Sequence, residues 1–82
     1  MEELSYQQRV ILAALELTKE CSYIKGYEFY MAGNDLVITP WINIEDRGRV
    51  YSEFLRVTND KILGRDETIV SELEEKLKTL VE

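Results

Sequence analysis

The dipeptide Gly33-Asn34 restricts this chain more than any other pair of residues, because it lies within a stretch, Tyr23 to Ile44, made of two β-type runs. A two-residue hairpin turn calls for positive φ at its central positions, which glycine and asparagine reach at least cost. Centring the turn there sets Ala32 against Asp35 and fixes every pair further out. Met31 then faces Leu36, Phe29 faces Ile38, Tyr27 faces Pro40 and Lys25 faces Ile42, all on one side, because strand side chains alternate. That side is apolar enough to be a core face. The other side pairs Tyr30 with Val37, Glu28 with Thr39 and Gly26 with Trp41, placing a large ring over a glycine, an arrangement that protects a weak strand position. Pro40 has no N–H for a ladder, so either that side of the strand looks outward or the strand bends there.

Helical patterns flank the hairpin. Ser5-Tyr6-Gln7-Gln8 has the form of a capping box, in which the serine oxygen takes a free helix N–H and the glutamine returns to the N–H of the serine. The helix it opens is expected over Tyr6 to Cys21, with Tyr6, Val10, Ala13, Ala14, Leu17 and Cys21 on one side and Ile11 and Leu15 widening it. Leu12 projects among Gln8, Glu16 and Lys19, either as a scattered exposed leucine or as part of a partner surface, and the first is the expected reading. Near the other end, Asp66 is placed to cap a helix carrying the stripe Ile69, Val70, Leu73, Leu77, Leu80 and Val81, supported by Glu72-Lys76 and Glu74-Lys78 pairs four residues apart.

Between them, Val50 to Val57 must be assigned by period. A strand would mix large apolar and charged groups on each face, Val50 with Arg56 and Leu55 with Glu53. A helix gathers Val50, Tyr51, Phe54, Leu55 and Val57 on one arc, with Arg49, Ser52, Glu53, Arg56 and Asp60 opposite. The helical reading is the more regular, with Asp46 as its cap and Gly64 as its left-handed stop. The expected fold class is therefore α+β, one domain over residues 1–82, in the order helix, strand, strand, helix, helix. The alternative is a three-stranded meander with flanking helices.

Composition excludes several kinds of function. Sixteen acidic and ten basic residues give a net charge of −6, which repels a nucleic-acid backbone unless the basic residues are segregated. On the helical reading Arg49, Glu53, Arg56 and Asp60 form one mixed strip, and the last helix presents Ser71, Glu72, Glu74 and Glu75, so direct nucleic-acid binding is not expected. The chain has one cysteine and no histidine, which rules out an internal disulfide and a plausible zinc site and leaves hydroxyl nucleophiles without their usual base. Cys21 falls near a helix C-terminus, where the dipole raises a thiol pKa, so packing is its expected role. The carboxylate pairs Glu45-Asp46 and Asp66-Glu67 sit where caps belong, Glu74-Glu75 diverge around a helix, and no calcium-loop spacing is present. Scattered single glycines make no phosphate loop. Neither a secretory signal nor an apolar run of membrane-spanning length is visible, and a reducing cytoplasmic setting is expected.

These exclusions leave a non-enzymatic reading with no catalytic residue, metal or cofactor. If the helices cover the side bearing Phe29 and Ile38, then Ile24, Tyr30, Val37 and Trp41 are left as a protein-binding surface. A two-stranded sheet also has unpaired edges. The partner expected is another protein or a second copy of the chain, with neither nucleic acid nor membrane bound directly. The alternative function is a nucleic-acid mimic, in which Glu72, Glu74 and Glu75 contribute to an acidic surface that inhibits a nucleic-acid-handling protein.

Overall fold

The computed structural model describes residues 4–20 and 24–81. The first helix, α1, spans Tyr6–Lys19 and opens on the expected capping box. Ser5 Oγ accepts from the Gln8 backbone N–H at 3.1 Å, and Gln8 Oε1 accepts from the Ser5 N–H at 2.8 Å. Val10, Ala13, Ala14 and Leu17 are buried. Beside them, the Gln7 side-chain amide donates to the carbonyls of Asn34, at 2.8 Å, and Val57, at 3.0 Å. The start of α1 is thereby tied to the sheet. The helix ends at Lys19, and the role expected of Cys21 falls outside the described residues.

The hairpin forms in the register the turn dictates. Strand β1, Gly26–Ala32, pairs antiparallel with β2, Asp35–Ile44, from Ala32 against Asp35 out to Gly26 against Trp41. Gly33 takes φ 65°, the left-handed conformation its place in the turn requires. Leu36, Ile38 and Pro40 are buried on the helix-covered side, as the alternation predicts. One outer pair is corrected: the Lys25 N–H donates to the Trp41 carbonyl at 2.9 Å, and the ladder stops at Gly26 without setting Lys25 against Ile42.

The expected helix over Val50 to Val57 is not formed. Chain direction reverses after Ile44 in a three-residue loop, closed by an Arg47 N–H to Ile44 carbonyl bond of 2.9 Å and by Gly48 at φ 74°. Asp46 belongs to this turn and caps nothing. Strand β3, Gly48–Tyr51, then pairs with the outer half of β2, and β4, Leu55–Val57, pairs with its inner half. Along this ladder the Ser52 N–H donates to the Pro40 carbonyl at 2.8 Å, and Leu55 faces Ile38. Thr39 alone is thus opposed by both Glu53 and Phe54, which is a β-bulge. The bulge inverts the alternation, so Val50 and Leu55 both face the helices although they are an odd number of residues apart. It also accommodates Pro40 in a central strand, since N and O of one strand residue point the same way and the missing donor meets the break between β3 and β4. The three-stranded meander is therefore the arrangement that β1, β2 and β3 make.

After β4, the short β5, Ile62–Leu63, adds at the far edge, giving a five-stranded antiparallel sheet in the order β1-β2-β4-β5 with β3 also on β2. Gly64 is not a helix stop. Its φ is not positive, and a β-carbon there would stand 2.1 Å from Leu55 Cδ2, so it allows a close backbone approach to a fully buried leucine. The second helix, α2, Glu67–Val81, is capped by Asp66, whose Oδ1 accepts from the Ile69 N–H at 3.3 Å. Ile69, Leu73 and Leu77 are buried; Leu80, assigned to the same stripe, is exposed. Both helices contribute to one core with Ile24, Leu36, Ile38, Leu55, Val57 and Ile62. The fold is α+β, with two described helices where the sequence pattern suggested three.

Candidate functional site

The alternation of the strands sends the other set of side chains away from the core. Registers of all five strands place Gly26, Glu28, Tyr30, Val37, Thr39, Trp41, Arg49, Tyr51, Arg56 and Leu63 on one outer side. Tyr30 is 57% exposed and Phe54, on the bulge, 59%; Tyr51 and Leu63 are exposed as well. Tyr30 and Trp41 lie where the sequence placed them, Trp41 being half-buried. Tyr51 and Phe54 were expected inside, on a helical arc. The turn at Gly48 was the signal that could have exposed them, because a tight return there sets Tyr51 beside Trp41.

Two of the expected binding residues are not accessible. Ile24 is 1% exposed and belongs to the core cluster, because the chain turns inward ahead of the Gly26 end of the ladder. Val37 is on the outer side as assigned, yet only 2% exposed. It occupies the middle strand, with Tyr30 opposite on β1 and Arg56 opposite on β4, and Arg56 extends along this side to an ion pair with Asp35 at 3.4 Å. The helical pattern over Val50 to Val57 hides the strand that carries Arg56, so this cover has no sign in the sequence.

Around Trp41 the surface is layered. The indole packs on Gly26, where a β-carbon would lie 2.4 Å from ring atom Cζ2. The Arg49 guanidinium stands over the ring at 4.2 Å from its centroid and is held from β1 by Glu28 at 3.1 Å. Arg65 similarly meets Glu53 at 3.5 Å. Arg49, Arg56 and Arg65 are each matched with an acid, as the charge patterning implies, although the partners are not those of a helical strip: Glu28 reaches Arg49 from across β2, and Asp35 lies on the strand beside Arg56. The outer side therefore combines exposed rings with locally balanced charge, the composition of a protein-contact surface more than of a phosphate-binding one.

Elsewhere the polar groups are dispersed. Glu45 and Asp46 lie exposed in the β2–β3 turn, and among the described residues no group of three or more His, Cys, Asp or Glu side chains is placed to hold a metal ion. A shallow groove of about 590 Å³ runs along α2, lined by Leu17, Ser71, Glu72 and Lys76 among others. Lys76 also pairs with Glu20 at the end of α1. Burial, with Glu72 adding to it, pushes the Tyr27 phenol up to about 12, and its buried hydroxyl has no hydrogen-bond partner among the described residues. Tyr6 is raised too, chiefly by burial and then by Glu74 and Asp60, with Arg9 opposing. None of the described helices is long and apolar enough to cross a membrane. Comparison of the chain with protein-family models, with curated proteins and with solved structures finds no match in any of the three.

Proposed function

We propose that this chain is a small, acidic, cytoplasmic protein-association module without catalytic activity, which binds a protein through the helix-free side or the edge of its sheet. One observation carries the reading. Both helices pack on one side of a five-stranded sheet, leaving Tyr30, Tyr51, Phe54 and Leu63 exposed together on the other, where charges are locally matched. Aromatic side chains supply large contact area at small entropic cost, and matched charges lower the penalty of drying the surface.

The test is hydroxyl-radical footprinting of the chain with and without its associated protein, followed by Tyr30→Ala combined with Tyr51→Ala. Association should protect Tyr30, Tyr51 and Phe54, persist as salt is raised, and weaken by more than about tenfold in the double variant, the loss expected on truncating interface anchors. Binding that ignores the double variant and collapses with salt would transfer the function to the acidic exterior.

A further inference from the structure

We infer that the partner for the β1 edge is a second copy of this chain, added antiparallel so that the two sheets become one. The inference rests on the association reading above and specifies its occupant. Among the described residues, β1 is the longest edge: it runs seven residues from Gly26 to Ala32 and pairs only with β2, whereas the edges at β3 and β5 are four and two residues long. Natural edges are blunted by shortness, proline, lysine or bulges. Within β1 there is no proline or lysine, and its one charge, Glu28, is countered by Arg49 at 3.1 Å. In a chain of net charge −6, this makes β1 a neutral line along which a like-charged copy can approach.

Register selects the pairing. Hydrogen-bonded and non-bonded pairs alternate along an antiparallel ladder, and the pair closing a two-residue turn, here Ala32 with Asp35, is a bonded one. Ala32, Tyr30, Glu28 and Gly26 therefore spend their backbone groups on β2, and Tyr27, Phe29 and Met31 direct theirs outward. The Ser52 to Pro40 bond agrees, since it turns the polar groups of Pro40 away from its β1 neighbour Tyr27. A two-fold axis at Phe29 satisfies every outward group, pairing Phe29 with its counterpart and Tyr27 with Met31 of the second copy. On the core side this covers Met31, which is 55% exposed, with a tyrosine ring. On the outer side it sets Glu28 opposite Tyr30 of the second copy and keeps the two glutamates from facing each other.

The experiment is light scattering across a dilution series with amide hydrogen exchange on the same samples, for the full chain and for Met31→Lys. A dimer that dissociates on dilution is expected, with the amides of Tyr27, Phe29 and Met31 slowed on the order of tenfold or more in the dimer. Met31→Lys should be folded by circular dichroism, monomeric, and fast-exchanging at Tyr27 and Phe29. A chain monomeric at every concentration overturns the edge pairing. A dimer whose three amides stay fast and which Tyr30→Ala with Tyr51→Ala dissociates also overturns it, while upholding the outer-side association on which it rests.

Discussion

The indole of Trp41 lies directly against Gly26 on the neighbouring strand, so close that a β-carbon at Gly26 would stand 2.4 Å from Cζ2 and 2.5 Å from Cε2 of the ring. The ring thus fills the space that a side chain would take and shields the backbone of a residue with poor strand propensity. Gly26→Ala must push the indole outward and loosen its contact with Arg49, which now lies 4.2 Å from the ring centroid. The expected cost is about 1–3 kcal/mol in urea unfolding, typical of overpacking. A change in indole emission should accompany it. Wild-type stability with unchanged emission would show that the ring does not rest on this glycine.

The remaining glycines separate by mechanism. At Gly33 and Gly48 the surroundings are open and φ is 65° and 74°, so alanine is penalised by backbone conformation, about 1 kcal/mol each, and asparagine should recover part of the loss. At Gly64 the obstacle is Leu55, fully buried with Cδ2 at 2.1 Å from the built β-carbon. Gly64→Ala should cost about 1–3 kcal/mol, and asparagine should be worse than alanine because it is larger. Denaturation midpoints of the six variants provide the check, and recovery by asparagine at Gly64 would contradict the steric account.

The two kinds of glycine also mark what was legible in the sequence. Gly33 reports its turn through its neighbour Asn34, which is why the hairpin register from Gly26-Trp41 to Ala32-Asp35 follows from the sequence, whereas Gly48 has no such neighbour and its turn does not. Caps are equally local, and Ser5, Gln8 and Asp66 all act as expected. A glycine that makes room for a distant residue carries no local sign, and the helical pattern ahead of Gly64 points instead to a helix stop. The larger error, at Val50 to Val57, has the same origin. Simple strand alternation separates Val50 from Leu55, whereas the bulge at Glu53 and Phe54 inverts the alternation, so that the two share a side. The helical arc that seemed to gather the apolar residues was produced by this inversion. Tyr30 and Trp41 lie on the expected side because their register depends only on the turn, whereas the cover over Val37 comes from β4, which the helical pattern hides.

The capping box at Ser5 supports α1 and through Gln7 the hairpin tip, since the helix start holds Gln7 where it meets the Asn34 and Val57 carbonyls. Ser5→Ala should cost about 1 kcal/mol. Gln7→Ala should cost a similar amount by removing two bonds to backbone carbonyls. Combining them should give less than the sum if the cap positions Gln7, which a double-mutant cycle on chemical denaturation measures; strict additivity would show the two anchors to be independent.

Tyr27 gives the fold an alkaline limit. Its phenol is raised from 10.0 to about 12, first by burial and then by the nearby Glu72 carboxylate, both of which disfavour the phenolate. Because the folded chain holds this proton more tightly than the unfolded one, the unfolded chain loses it first as pH rises. The contribution is complete below about pH 10 and is lost between pH 10 and 12. Tyr27→Phe keeps the ring's contact with Phe29, whose centroid is 6.4 Å away, and removes a buried hydroxyl that has no partner among the described residues. The variant should therefore match or exceed wild-type stability at pH 8 and lose less of it at pH 11, when both are compared by urea unfolding. Every other charged group is common to both proteins and cancels in the comparison. Equal losses at pH 11 would mean that the Tyr27 proton is held no more tightly in the folded chain than in the unfolded one.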